Sequence, residues 1–410
     1  MAWKRPTPPS WVDGLNAHGP AVGGAEYLVS LETDDLLAAA RASTGLDDFG
    51  GESWRPHFDV LVHALRTEAR LTVAGRIVAR TELLRALRQR LLLAALWADD
   101  PTILEEPIVQ PVFVVGTGRS GTSILHELLA LDPANRTPRT WELFHPGEAL
   151  GPDVESVRGV GHLVHAFWAE LQPAYEAMHH NDGEEPNECI FATMLEFLSD
   201  QWGGTYEIPT YSAYLVDADL TEAYRYHRKV LQTLQRRVRA ERWVLKAPSH
   251  LGRLRTLFAV YPDARVVQIH RDPLKTVPST ISLMGTIRSM RSETVDVDAL
   301  APWISMGYGV MLDDTIDARA SGELPDAQFV DVRYADLMDE PVGTIRGVYA
   351  RLGIDFPSSL AVAVADHLAA QPKGARGAHT YSLADTGLDA ARERARFRRY
   401  QAEYGVPDET

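Results

Sequence analysis

Two short segments carry residues whose types and spacing suit the grip of an anion. The first is Gly116-Thr117-Gly118-Arg119-Ser120-Gly121-Thr122-Ser123, which follows a β-branched apolar run and opens a helix-periodic stretch. Glycines let a backbone fold tightly enough for successive amides to face one anion, and a helix N-terminus adds partial positive charge there. Gly118, Arg119, Ser120, Gly121, Thr122 and Ser123 are the candidate ligands, as amides, one guanidinium and three hydroxyls. The second segment, Val266 to Ser279, reads as strand, tight turn and helix, with Asp272-Pro273 at the turn. Arg271 at the strand's carboxyl end and Ser279 about two turns into the helix can face the same ligand across the top edge of an open sheet.

The first segment nearly meets the nucleoside-triphosphate loop Gly-x-x-x-x-Gly-Lys-[Ser/Thr]. Thr122 stands at the lysine position, however, and the positive charge comes earlier, at Arg119. No strand ending in a magnesium-binding aspartate follows, so a triphosphate with its metal lacks two of its usual ligands. Arg119-Ser120-Gly121-Thr122-Ser123 instead resembles the Lys/Arg-Ser-Gly-Thr-Thr loop of sulfotransferases that use 3′-phosphoadenosine 5′-phosphosulfate (PAPS). Its arginine form is similar to that of bacterial members and of the tyrosylprotein sulfotransferases. The second segment resembles the same family's 3′-phosphate motif, Arg-Asn-Pro-x-Asp-x-x-x-Ser. Here Asp272 replaces the asparagine and Thr276 the aspartate, while the spacing from Arg271 to Ser279 is kept.

That resemblance implies sulfuryl transfer from PAPS to a hydroxyl, with PAPS as co-substrate and no metal. It assigns the 5′-phosphosulfate to the first loop and the 3′-phosphate to Arg271 and Ser279. Lys246, closing the run Trp243–Lys246, is similar to a lysine that assists the transition state in tyrosylprotein sulfotransferases. Glu142 lies where those enzymes place a catalytic glutamate, and is expected at the end of a second strand beside the loop. It is the candidate general base, with His145, His179 and His180 as rivals, since cytosolic members use a histidine. Lys373 and Arg376 sit in a glycine-containing loop similar to one that closes over the 3′-phosphate. The run from His179 to Glu185, with Glu188 nearby, has no helical His/Glu spacing for a metal and reads as a solvated loop bordering the acceptor.

These groups need a scaffold of parallel strands. Apolar runs at Val112–Val115, Trp243–Lys246, Ala264–His270 and Gln328–Val332 alternate with helical stretches at Ser123–Leu131, His250–Tyr261 and Leu274–Met290. Alternation of this kind predicts an α/β fold, a P-loop-like parallel sheet with helices on both faces. Before it, residues 1–105 read as a helical N-terminal region, with helices from Thr33 or Asp34 to Ala42, Trp54–Leu71 and Arg76–Trp97. Arg80, Arg85, Arg88 and Arg90 are assigned to the solvated face of the last of these. A lid and a homodimer contact both stay open for this region. The sulfotransferase α/β domain then spans residues 106–410. Ser249 is assigned a helix cap, and Gly183–Pro186, Ser292–Asp298 and Gln371–Ala378 are expected to be mobile.

The formal net charge of −15 argues against nucleic acid as a partner, while leaving room for a small anion in a local pocket. The longest apolar run, Leu91–Ala98, is too short to cross a bilayer, and no signal-like start precedes it. With one cysteine, Cys189, the chain is expected to be cytoplasmic. The acceptor is expected to be a small-molecule, glycan or lipid hydroxyl, and the sequence does not choose among them. The aromatic residues Trp168, Tyr175, Trp202, Tyr206, Tyr211, Trp303 and Tyr308 suit a flat or glycan-like acceptor and core packing equally. Two other readings, a P-loop kinase or nucleotide hydrolase and a non-catalytic adenine-nucleotide-binding module, are to be separated from transfer by activity.

Overall fold

The period-two alternation of the strands sorts their side chains onto two faces, and each face buries its own core. The protein is described by a computed structural model that covers residues 3–179, 182–370 and 380–409. Its five strands are β1 (Val112–Val115), β2 (Asn135–Arg136), β3 (Arg242–Lys246), β4 (Arg265–His270) and β5 (Phe329–Arg333), in the order β2-β3-β1-β4-β5. Every neighbouring pair is parallel. Val112, Val114, Val244, Val267, Ile269, Val330 and Val332 face one way, against the helices Thr122–Ala130, Pro341–Leu352 and Ser358–Ala370. Phe113, Val115, Leu245, Val266 and Phe329 face the other. Each expected strand lies within one residue of an observed one at both ends.

The helices that bear on the site are α1 (Thr33–Thr44), α2 (Trp54–Thr67), α3 (Val73–Asp99), α4 (Thr122–Ala130), α5 (Thr140–Phe144), α6 (Val154–Leu171), α7 (Pro273–Ser289), α8 (Val297–Ala320) and α9 (Ala390–Tyr404). The first three are the expected N-terminal helices. Leu36, Phe58, Leu61, Leu83 and Leu87 from them share one apolar core with Phe113 and Leu245 of the sheet. Gly45 ends α1 at φ 71°, the left-handed position that favours glycine.

The arginines of α3 are not a solvated face. Arg90 is fully buried and donates to the carbonyls of Phe49, Gly50 and Leu195 at 3.1, 3.0 and 2.9 Å. It also pairs with Glu196 at 2.6 Å and lies over the Trp54 and Tyr226 rings. The Arg85 guanidinium stacks 4.1 Å from the Phe144 ring centroid, and Arg80 donates to the Ser30 carbonyl at 2.7 Å. Arg88 keeps part of its surface in solvent, 3.8 Å from Glu148. Long arginine stems and planar heads satisfy irregular backbone between helices, a use that charge periodicity does not reveal. Removing Arg90 would strand the Glu196 carboxylate and three carbonyls. Arg90→Ala is expected to cost about 3–5 kcal/mol, read from the urea midpoint of unfolding.

Two of the loops expected to be mobile are pinned. Gly183 and Glu185 carbonyls accept from Trp141 and Thr140, and the Asn187 amide donates to Pro138. Ser292 is buried and donates from its hydroxyl to the Ala69 carbonyl at 2.7 Å. Gln371–Ala378 lies outside the described residues. Ser249 is not a cap: a 3-10 turn over Pro248–Arg253 starts after Ala247 with no side-chain bond. Of the seven singled-out aromatics, six are buried and only Trp303 is exposed, so packing is their main use.

Candidate active site

Because the strands are parallel, all their carboxyl ends open on one edge, and β1 lies where the chain order reverses between β3 and β4. Val115 is level with Gln268 and Val114 with Lys246. The loop after β1 and the turn after β4 therefore leave the sheet side by side. Within the loop Arg119 takes a left-handed backbone, φ 68°, and Gly121 follows at φ 104°. The loop accepts little else at its glycines. A Cβ at Gly118 would stand 2.6 Å from the Tyr308 hydroxyl, and one at Gly121 2.6 Å from the Tyr334 ring.

The two expected anion segments touch. Arg119 donates from Nε to the Ser279 hydroxyl at 3.1 Å, and Arg271 donates from Nη1 to the Arg119 carbonyl at 3.2 Å. Thr280 and Tyr308, whose hydroxyls are 2.9 Å apart, brace the Gly118 carbonyl at 3.3 and 3.5 Å. Ser120 Oγ is buried without a hydrogen-bond partner inside this loop. An unpaired buried hydroxyl is costly, and an anionic oxygen in the cradle would satisfy it. Burial lowers the Arg119 pKa, and the like charge of Arg271 adds to the effect, against the phenols of Tyr381 and Tyr308. Arg271 is partly buried too, which works against its charge, yet its bond to Glu409 leaves its pKa raised. Such a pair of cations gains from an incoming anion.

The turn bearing Arg271 forms as expected: Pro273 opens α7 and the Asp272 carboxylate caps it, accepting from the Leu274 amide at 2.9 Å. Asp272 is fully buried and paired with Arg394 of α9 at 2.8 Å. The aspartate that replaces the family's asparagine is thus compensated by a cation far along the chain.

Lys246, at the end of β3, is buried and donates from Nζ to the Ser123 hydroxyl at 3.2 Å and to Glu188 Oε1 at 2.6 Å. It is joined to the loop directly. His126 lies behind it, donating to the Val244 carbonyl at 3.0 Å. Burial first and Lys246 second push its pKa down to about 3, so it stays neutral there.

Glu142 is not joined to this group. The second strand has only two residues, and Glu142 lies in the first turn of α5 instead of ending a strand. Its side chain is buried, with one oxygen accepting from Arg136 Nη2 at 2.8 Å and the other from the Arg139 amide at 2.9 Å. His145 is engaged with Glu148 at 2.9 Å, and His179 closes the short helix Ala174–Met178. His180, Lys373 and Arg376 lie outside the described residues. Glu188, passed over in the sequence as part of a solvated loop, is the carboxylate that reaches the lysine. Its signal was the Glu-Glu-Pro-Asn-Glu run: the Asn187 amide donates to the Pro138 carbonyl just beyond β2, and the amide of the following Cys189 to the Lys246 carbonyl at the end of β3. Among the described residues no group of three His, Cys, Asp or Glu could hold a metal ion.

The loop after β1 and the turn after β4 thus meet in one junction at the carboxyl edge of the parallel sheet. A model of the sulfotransferase family matches residues 111–358, and the chain belongs to that family. Its fold is similar to the crystal structure of sulfotransferase STF1 from Mycobacterium tuberculosis H37Rv. The TM-score is 0.77 at 31% identity, over 89% of this chain and 98% of that one. Sulfotransferase STF9 from Mycobacterium avium superimposes with TM-score 0.79 at 26% identity, over 92% and 97% of the two chains. The omega-hydroxy-beta-dihydromenaquinone-9 sulfotransferase Stf3 of Mycobacterium tuberculosis is 30% identical over 272 residues, 62% of this chain. The match spans 65% of the length of that relative.

Proposed function

We propose that the protein transfers the sulfuryl group of PAPS to the hydroxyl of an acceptor with an apolar body. The observation that carries this reading is the junction of the two anion segments, Arg119 with Ser279 and Arg271 with Arg119. One nucleotide phosphorylated at both ends can span them. Gly118, Arg119, Ser120, Gly121, Thr122 and Ser123 would hold the 5′-phosphosulfate, and Arg271 with Ser279 the 3′-phosphate.

In the transfer, the bond from sulfur to the bridging oxygen breaks as the acceptor oxygen bonds to sulfur. The leaving 3′-phosphoadenosine 5′-phosphate (PAP) gains negative charge on that oxygen, and the acceptor loses a proton. Lys246, held between Ser123 and Glu188, would stabilise the charge on the bridging oxygen. Glu188 is the carboxylate placed to take the proton, in preference to Glu142, whose oxygens are engaged by Arg136 and Arg139. Two observations support an apolar acceptor. Stf3 is named for a hydroxylated menaquinone, and a cavity of about 480 Å³ adjoins the helix of Ser279. Trp3, Pro6, Met178 and Ile281 form the apolar part of its wall, and Lys4 and Asp385 are among its polar part. A cytoplasmic setting belongs to the same proposal, supported by the buried free thiol of Cys189. No helix among the described residues is long and apolar enough to cross a membrane.

The test uses PAPS labelled in sulfur with a panel of hydroxylated isoprenoid quinones, sterols, phenols and glycans. Label is expected in an apolar alcohol, and PAP should bind in preference to ATP. Binding of PAP with no transfer to any acceptor would favour a non-catalytic module. Preference for ATP with magnesium would favour a kinase or hydrolase.

A further inference from the structure

Arg271 is not waiting empty for a phosphate. Glu409 covers it with a two-oxygen grip: Nε donates to Oε1 at 3.0 Å and to Oε2 at 3.2 Å, and Nη2 to Oε2 at 2.9 Å. This is the fork that an arginine offers to a phosphate. The Tyr334 ring lies beneath the guanidinium, 4.0 Å from its carbon. The segment holding Glu409 is folded back deliberately. Gly405 ends α9 in the left-handed region at φ 60°, and the Val406 amide returns to the Gln401 carbonyl. Gln401 then donates to Asp408 at 2.9 Å, and Arg394 pairs with Asp408 at 2.6 Å and with Asp272 at 2.8 Å. Finally the Glu409 amide donates to Asp272 at 2.8 Å. The turn that carries Arg271 and the segment that covers it are therefore latched together by Asp272 and Arg394.

We propose that the Glu409 carboxylate is an internal occupant of the 3′-phosphate position, which the nucleotide must displace. This rests on the reading of Arg271 as the 3′-phosphate ligand. In the free enzyme Glu409 offsets the crowding of Arg119 and Arg271, and a 3′-phosphate with greater charge replaces it. A conformation that occludes the site lowers apparent affinity by the fraction of molecules still open. The same competition favours loss of PAP after transfer, since the vacated arginine has a partner at hand. The latch through Asp272 and Arg394 lets the Glu409 side chain leave while Val406 to Asp408 stay seated.

The experiment titrates the 410-residue chain with PAP and, separately, with adenosine 5′-phosphate, which lacks the 3′-phosphate. Glu409→Gln removes the charge and keeps the shape; Glu409→Asp keeps the charge. Both partners are partly exposed, so neither change should disturb folding. In Glu409→Gln the Kd for PAP is expected to fall about 3- to 30-fold, with adenosine 5′-phosphate unchanged. Glu409→Asp should stay nearer the parent, and Glu409→Gln should lose its effect in an Arg271→Ala background. An unchanged or weaker grip on PAP in Glu409→Gln, while Arg271→Ala still weakens PAP, would overturn the proposal and leave the nucleotide reading intact. Equal tightening for both nucleotides would also overturn it, as a general charge effect. If Arg271→Ala binds PAP like the parent, the assignment of the 3′-phosphate itself fails.

Discussion

Exchanging Glu188 for glutamine is expected to lower kcat for sulfuryl transfer by about 10²- to 10⁴-fold while leaving the Kd for PAP near that of the parent. The amide keeps the shape of the side chain and its contact with Lys246, but it cannot take the acceptor's proton. Glu142→Gln should behave differently. Arg136 and Glu142 are both buried, and Arg136 also donates to the Leu234 and Val238 carbonyls and stacks on Trp243. Loss of the Glu142 charge leaves a buried guanidinium without its counter-ion, which costs about 3–5 kcal/mol of stability. Turnover per folded molecule should survive. Single-turnover kinetics with labelled PAPS, corrected for the folded fraction, separate the two carboxylates. If the two results are exchanged, the base is Glu142.

The second large effect concerns Arg119. Its guanidinium donates to the Ser279 hydroxyl and its backbone carbonyl accepts from Arg271, in a partly buried setting. Loss of one charged donor aimed at the transferred group costs about 10²- to 10³-fold in rate. Loss of a phosphate ligand adds to KM, so kcat/KM in Arg119→Ala should fall by about 10³-fold or more. The left-handed backbone at this position supplies a control. Arg119→Gly removes the side chain and relieves the conformation, so a purely conformational role would leave it active. Arg119→Lys retains charge without the planar fork and should recover only part of the loss. Isothermal titration with PAP beside steady-state kinetics would divide the effect between binding and turnover. An Arg119→Gly enzyme with parental kcat/KM would remove Arg119 from the site.

Much of this architecture is legible along the chain because its signals are local. Four apolar β-branched runs announce β1, β3, β4 and β5, and the glycine-rich turn before α4 and the Asp-Pro start of α7 mark the ends that carry the proposed anion ligands. β2 was not legible: two residues, Asn135 and Arg136, pair with Arg242 and Trp243 and leave no periodic trace. The arginines of α3 misled for the opposite reason. Their spacing matches a wet helix face, but the bend at Phe49 and Gly50 and the turn at Leu195 bring three carbonyls to Arg90, Ser30 brings one to Arg80, and Phe144 packs on Arg85.

The amino-acid sequence by itself carried the resemblance to the family, four of the five strands and the two segments proposed to bind anions, because tight turns, strand ends and helix starts depend on neighbours in the chain. Only the tertiary structure decided which carboxylates meet them. Glu188 and Lys246 are separated by 58 positions, and Glu409 and Arg271 by 138. A buried cation takes whichever anion the packing brings within reach, and that proximity is a property of the folded chain alone.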